Sequence, residues 1–304
     1  MTAYGVLLPT FDPFRLSRAP RVNEAARLAE TLGFDSVWTG DHLACPSPVL
    51  DAPTCLASAA AVTSNVQIGL SVMLLGIRPL AWSAKQLTTL QALSGGRLRL
   101  GVGIGGEFPQ AYAAAGFSTK DRGKLLDAAL DRLPKVMNGI ADGEVGVIEP
   151  VLGMPPLLVG GRSEAALRRA ARYADRWLPM WVSPESLAAR GQRLGQFAAE
   201  YGRPTPAVTA LILFHIDDDL TQARTQSEGH LRGQYGMNLD KVEKWTALGS
   251  AAAAAEMIHA YEAVGVDEFI FMPLGSEPLV QYERLAGALA LPGLTVGADE
   301  TGGR

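Results

Sequence analysis

The chain has 304 residues, 48% of them hydrophobic and 19% charged, with a formal net charge of −4. This composition suits one large globular domain and argues against nucleic acid as the main partner. No apolar run reaches the roughly 18 residues that a membrane helix needs, and residues 1–5 lead into a strand without a basic leader. We therefore expect a cytoplasmic protein with no signal peptide and no membrane association.

One unit recurs along the chain: an amphipathic helix, a glycine or short polar break, and a short strand of β-branched or aromatic residues. Gly33, after the first helical pattern, is a typical helix C-cap. The patterns predict helices over residues 22–32, 54–63, 80–93, 122–138, 164–174, 184–201 and 257–264. They predict strands over residues 4–8, 36–39, 67–73, 98–103, 157–159, 177–178, 208–214 and 268–272.

Eight strands that alternate with helices favour a closed parallel TIM barrel, (β/α)₈, over an open doubly wound sheet. We predict one barrel domain over residues 1–290 and a flexible tail over residues 291–304. Four connections are long: residues 9–20 and 105–121 after strands, 138–155 before the fifth strand, and an insertion near 234–249. Loops of this length are usually functional, so we expect insertions at the C-terminal face of the barrel, where such enzymes place their chemistry.

Glycines leave the end of the fourth strand without side chains, at Gly101, Gly103, Gly105 and Gly106. Either a flat or large group approaches this backbone, or neighbouring barrel walls crowd against it. Three of these glycines also match G-x-G-x-x-G, a fingerprint that needs a helix to begin at its last glycine. Residues 107–109 read Glu-Phe-Pro instead, which favours the mouth of a flat-ligand pocket over a dinucleotide site.

The end of the second strand places Asp41 beside His42. A carboxylate and an imidazole at the catalytic mouth of a barrel can position and transfer a proton near neutral pH. The alternative is structural, with an aspartate that caps a helix and a histidine that is satisfied by its neighbours. Glu107, at the mouth of the fourth strand, is a further acid–base candidate or an ordinary rim carboxylate.

The fifth strand runs into Gly160, Gly161, Arg162 and Ser163, at the start of an alanine-rich helix. Exposed N–H groups at a helix start can hold a phosphate, and the alternative is an ordinary glycine loop with a serine cap. Arginines crowd the region as well, either as a solvated helix face or as a site for an anionic cofactor tail. They are Arg162, Arg168, Arg169, Arg172 and Arg176. Arg122 also lies at a predicted helix start, where a cation needs a compensating anion.

Aromatic side chains in the long connections predict an apolar substrate pocket, formed by Phe11, Phe14, Trp181 and Trp245. No metal site is expected, because the histidines are dispersed and show no ligand spacing. The two cysteines, Cys45 and Cys55, form no C-x-x-C pair and predict no disulfide framework.

Four segments, at residues 36–42, 69–73, 93–106 and 155–181, resemble the luciferase-like monooxygenase family of flavin- and deazaflavin-dependent oxidoreductases. The most specific parts read LSGGRLRLGVGIGGE and PPLLVGGRSEAALRRAARYADRWLP. The resemblance spans most of the chain and implies a (β/α)₈ barrel with the cofactor across its C-terminal mouth.

The same resemblance implies roles for single residues. His42 would move or position a proton at the reactive ring, with Asp41 beside it. Gly160, Gly161 and Ser163 would hold the cofactor phosphate, which Arg122 approaches. A non-prolyl cis peptide at Ser71–Val72 would form a bulge behind the ring. Gly103 and Gly105 are expected to bind the cofactor as well.

The family uses two kinds of cofactor, and Gly40-Asp41-His42 stands where members that use FMN often carry Glu-His-His. The difference favours coenzyme F420, with FMN as the alternative. We expect hydride transfer from reduced F420 to a small organic substrate. The alternatives are an FMN-dependent monooxygenase, which would use oxygen and reduced FMN from a partner reductase, and a barrel that binds a flavin without catalysis. A homodimer is implied by resemblance alone.

Overall fold

The computed structural model describes residues 2–16, 21–106, 108–143 and 145–293, which contain nine parallel strands and ten α-helices. The strands are β1 (Ala3–Leu7), β2 (Ser36–Thr39), β3 (Gln67–Met73), β4 (Leu98–Val102), β5 (Leu157–Gly160), β6 (Arg176–Leu178), β7 (Ala207–Ile216), β8 (Thr246–Gly249) and β9 (Glu268–Pro273). The helices are α1 (Val22–Thr31), α2 (Ala52–Ala60), α3 (Leu80–Ser94), α4 (Pro109–Ala114), α5 (Arg122–Met137), α6 (Glu164–Tyr173), α7 (Pro184–Glu200), α8 (Leu220–Tyr235), α9 (Ala251–Glu262) and α10 (Pro278–Ala288).

Eight of these strands close into a ring, as predicted. Strands β1 to β7 pair in parallel in chain order, and β9 pairs with both β7 and β1 to close the ring. The ninth strand, β8, pairs only with the far end of β7, so it extends the sheet outside the ring. The prediction that residues 234–249 form a plain insertion was therefore wrong at its end, where Thr246–Gly249 is a strand.

Polar side chains fix where several helices begin, and therefore where the preceding loops end. Asp51 accepts a hydrogen bond from the Thr54 N–H at 3.0 Å at the start of α2. Ser163, Ser183 and Ser250 cap α6, α7 and α9 in the same way. Each of these caps lies beyond the carboxyl end of a strand, so it also shapes the mouth of the barrel.

A network of buried charges fills the amino ends of the strands. Glu268 has a side chain only 3% exposed, and it accepts hydrogen bonds from both terminal nitrogens of Arg99. The Arg176 Nε lies 2.8 Å from Glu268, and the Thr209 hydroxyl donates to it at 2.6 Å. Because these charges are satisfied within the protein, this end of the barrel has a structural role.

The predicted tail is only partly described. Residues 291–293 follow α10, and Leu291 packs against the main core. Residues 294–304 of the predicted flexible tail lie outside the described residues.

Candidate active site

A cavity of about 370 Å³ opens at the carboxyl ends of the barrel strands. Its walls come from the connections after β1, β2, β3, β4, β5, β6 and β9 and from the last turns of α8. It brings together most of the residues that the sequence predicts for the site: Phe11, Phe14, Asp41, His42, Ser71, Val72, Gly103, Gly105, Gly160, Gly161, Arg162 and Trp181. Size and composition are those of a small-molecule site.

At the floor of this cavity, the Val72 side chain of β3 packs between Gly103, just after β4, and Gly160 of β5. We call this side chain the Val72 wedge. The Ser71–Val72 peptide bond is cis, and the register of β3 against β4 shifts between Leu70 and Met73, which is the predicted bulge. A Cβ added to Gly103 would lie 2.6 Å from the Val72 Cγ2, and one added to Gly160 would lie 3.0 Å from its Cγ1. Glycine is therefore needed at positions 103 and 160 because the Val72 side chain occupies the space that a Cβ would fill.

His42 is packed between two aromatic rings on the cavity wall. Its ring lies edge-on to Phe11, with centroids 5.5 Å apart, and to Phe108, with centroids 4.7 Å apart. Phe108 in turn stacks on Tyr235 at 5.8 Å, and Tyr235 meets Trp181 at 5.9 Å. These contacts form an aromatic chain from the connection after β1 to the connection after β6, which holds the half-buried imidazole in place.

Asp41 is anchored to the protein. Its carboxylate is 3% exposed and pairs with Arg78, whose terminal nitrogen lies 2.6 Å from Oδ1 and whose Nε lies 3.2 Å from Oδ2. The Leu74 N–H also donates to Oδ2 at 3.0 Å. With three donors engaged, this carboxylate is suited to positioning the strand ends around His42, whereas proton transfer requires a group that can change partners.

The rim after β5 combines glycine backbone with a cation. Gly161 has a φ of +121°, a conformation that favours glycine, and its carbonyl accepts a hydrogen bond from the Trp177 indole at 2.7 Å. The Arg162 guanidinium lies 5.6 Å from the ring centroid of Trp181. Trp181 itself has a φ of +56°, which is rare for a bulky residue, and its indole N–H has no hydrogen-bond partner among the described residues. Such a strained residue at a cavity wall is typical of a functional site.

Three other predicted site residues, Ser163, Arg122 and Trp245, do not line the cavity. Ser163 caps α6 by accepting from the Ala166 N–H at 3.2 Å. Arg122 begins α5, with a terminal nitrogen 3.8 Å from where a Cβ of Gly106 would be. Trp245 lies under Lys244, whose Nζ is 4.5 Å from the ring centroid. Glu107 lies outside the described residues.

Four of the five clustered arginines are ion-paired away from the cavity. Arg168 pairs with Glu200 at 3.0 Å, Arg169 with Asp127 at 2.6 Å and Arg172 with Asp131 at 2.9 Å, while Arg176 belongs to the network at the amino end. A spacing of three or four residues along α6 directs these side chains towards acidic partners on α5 and α7. Arg162 alone of this group lines the cavity, so an anion site built from the whole cluster was the wrong reading.

Sequence reasoning missed the wall that α8 contributes. His230, Gln234 and Tyr235 line the cavity from this helix, and burial lowers the pKa of His230 to about 4. The signal was a helical spacing of buried residues, at Ser227, His230, Leu231 and Gln234. Because three of these four residues are polar, their spacing does not stand out as an apolar helix face in the sequence.

Within the described residues, no group of three or more histidine, cysteine or acidic side chains could hold a metal ion. The helices there also include none with the length and apolar character to cross a membrane.

Comparison with known proteins identifies the family. Residues 3–268 match the model of the luciferase-like monooxygenase family. The chain belongs to this family. An uncharacterised protein of Mycobacterium tuberculosis is 30% identical over 214 residues, covering 60% of this chain and 72% of that one. A 4-hydroxyprotoasukamycin monooxygenase of Streptomyces nodosus subsp. asukaensis is 25% identical over 66% of this chain and 60% of its own.

Solved structures of the luciferase-like fold superpose on nearly the whole chain. An F420-dependent secondary alcohol dehydrogenase, in complex with an F420–acetone adduct, has a TM-score of 0.80 and 17% identity over 95% of this chain and 98% of its own. A monooxygenase from Streptomyces bottropensis has a TM-score of 0.79 and 21% identity over the same shares. These likenesses establish the fold, and luciferase-like proteins of both cofactor types share it.

Proposed function

We propose that this luciferase-like protein is an oxidoreductase that uses reduced coenzyme F420 for hydride transfer to a small organic substrate. One observation carries the proposal: a single cavity at the carboxyl ends of the strands is lined by His42, by Gly160 and Gly161, and by Arg162. It thus offers an imidazole for proton transfer and a cationic glycine rim for an anionic tail.

The residues present fit a deazaflavin. The floor is the apolar Val72 wedge, and the walls include the aromatic side chains of Phe11, Phe14, Trp181 and Tyr235. Beside the cavity, the buried hydroxyl groups of Thr10 and Ser71 have no hydrogen-bond partner among the described residues. Among the described residues, no carboxylate forms an ion pair with Arg162, which lies over the Trp181 ring. Gly160, Gly161 and Arg162 would therefore hold the anionic end, and the apolar floor would lie against the ring.

When bound, the deazaflavin supplies the hydride chemistry, and the protein supplies binding, orientation and proton management. His42 holds or moves a proton at an imidazole nitrogen, and Phe11 and Phe108 fix the plane of that ring. Asp41, through Arg78 and the Leu74 N–H, holds the neighbouring strand end in place.

Replacement of His42 tests this assignment. His42→Ala should bind F420 with nearly unchanged affinity and lose about 100-fold in turnover, the usual contribution of a positioned acid–base group. His259→Ala is the matched control, because that imidazole is 74% exposed on α9 and should have no effect. Equal turnover in His42→Ala and the native protein would refute the role of His42.

A second candidate is an FMN-dependent monooxygenase, favoured by the monooxygenase relative at 25% identity. Reduced FMN with oxygen, compared with reduced F420 under anaerobic conditions, separates the two reactions directly, since only the first would need a partner flavin reductase. Binding of either cofactor without oxidation of its reduced form would indicate a barrel that has no catalytic activity. The homodimer and the cytoplasmic location stay predictions from the sequence.

A further inference from the structure

The α8 wall of the cavity carries two polar side chains in apolar surroundings. His230 is 7% exposed and Gln234 only 2% exposed, and both line the cavity. The strands beside α8 contribute Leu211 and Met272 to the same side. Polar groups with so little exposure need hydrogen-bond partners.

The pair is held on a rigid support, because the connection after β1 packs directly on the backbone of α8. A Cβ added to Gly233 would lie 1.9 Å from the Pro13 carbonyl oxygen, and one added to Gly229 would lie 3.1 Å from the Phe14 ring. Phe14 then lies edge-on to His230, with ring centroids 6.0 Å apart. Two glycines four residues apart therefore fix this wall.

The partners of His230 determine which of its nitrogens carries a proton. Nδ1 lies 3.3 Å from the Gly275 carbonyl oxygen, which can only accept, so Nδ1 carries the hydrogen. Burial lowers the pKa of His230 to about 4, so the ring is neutral at pH 7 and Nε2 is an acceptor. Nε2 therefore requires a donor from its other neighbour, Gln234.

Gln234 can supply that donor in only one orientation of its amide. As placed, its Oε1 lies 2.9 Å from the His230 Nε2, and two acceptors would then face each other. A half-turn of the amide exchanges oxygen and nitrogen at no steric cost and brings the NH₂ group to Nε2. The carbonyl oxygen then takes the other position, which has no hydrogen-bond partner among the described residues.

We propose that the Gln234 carbonyl oxygen is a substrate-recognition site that accepts a hydrogen bond from a hydroxyl group on a small, otherwise apolar molecule. The proposal rests on the function proposed above, because it names the substrate class for that cavity. A neutral donor suits this wall, since the His230 ring beside it is uncharged and the neighbouring side chains are apolar. Gln234 is a specificity residue, and His230 is a positioning residue that acts through it.

Binding of two matched probes to the protein without cofactor tests the proposal. Benzyl alcohol has a hydroxyl donor, and benzyl methyl ether keeps the oxygen and the ring but has no donor. Titrations followed by NMR should show at least about fivefold tighter binding of the alcohol, the value of one hydrogen bond. Gln234→Met should lose this preference, while Gln226→Met, on the same helix outside the cavity lining, should keep it.

Equal affinity for the two probes in the native protein, or a preference that persists in Gln234→Met, would overturn the proposal. A measurement without variants addresses the case in which Gln234→Met fails to fold. Nitrogen-15 NMR of the histidine rings should show His230 as the neutral Nδ1–H tautomer between pH 6 and 8, and an Nε2–H tautomer or a cation would overturn it. Neither experiment includes F420, so failure here is distinct from failure of the proposed cofactor.

Discussion

Gly103→Ala should destabilise the protein because the Val72 wedge has no room to move. The new Cβ would lie 2.6 Å from the Val72 Cγ2, and a shift of Val72 the other way is limited by Gly160, whose Cβ position is 3.0 Å from Cγ1. Overpacking of this kind costs about 1–3 kcal/mol, which urea unfolding would measure. Gly191→Ala in α7 is the control, since its Cβ would meet nothing within 4 Å, and it should be neutral or stabilising by up to about 1 kcal/mol.

A double-mutant cycle makes the test specific to the wedge. Val72→Ala removes the methyl groups that the new Cβ would meet, so the double variant should be more stable than the sum of the single effects by about 1 kcal/mol or more. A Gly103→Ala variant as stable as the native protein, or single effects that simply add, would refute the account of these glycines.

Three further predictions concern buried groups away from that wedge. Arg78→Met should cost about 3 kcal/mol or more in urea unfolding, since it leaves the 3% exposed Asp41 carboxylate without its cation; a loss below about 1 kcal/mol would contradict this. Burial lowers the pKa of His230 from 6.5 to about 4, so the unfolded chain binds a proton in that range that the folded protein does not. The unfolding free energy should therefore fall as the pH drops from about 6.5 to 4, by at most roughly 1.4 kcal/mol per pH unit, and His230→Phe should have a shallower slope. Burial raises the pKa of Cys55 to about 11, so at pH 8 its protonated thiol should react with a thiol reagent more slowly than Cys45, a difference that should vanish in urea.

The barrel could be predicted from the sequence because its signals are local. The strand over Gln67–Met73 was predicted with its observed bounds, and Gly33 follows the first helix with a φ of +86°. Periodic apolar residues and glycine breaks depend on neighbours within a turn or two, so they are legible in a single chain. The bulge at Ser71–Val72 came from family resemblance, and the structure bears out the cis bond.

The site was less accessible to sequence reasoning, since its contacts join residues far apart in the chain. Nothing near Asp41 indicates that Arg78 binds it, and the arginines along α6 were indistinguishable until their partners were placed. The helix α8 was missed because its buried positions are mostly polar and because it contains Gly229 and Gly233, which are poor helix formers. Both glycines serve the contact with residues 13–14, which lie more than 200 positions earlier.

The central claim, that the cavity binds F420 with Arg162 at the anionic end, is tested most directly by fluorescence titration of F420. Arg162→Gln should weaken binding about tenfold, as expected for loss of a charged hydrogen-bonding partner. Arg168→Gln, which alters an arginine paired with Glu200 outside the cavity, should bind as tightly as the native protein. Absence of saturable F420 binding, or equal affinities in the two variants, would contradict the account.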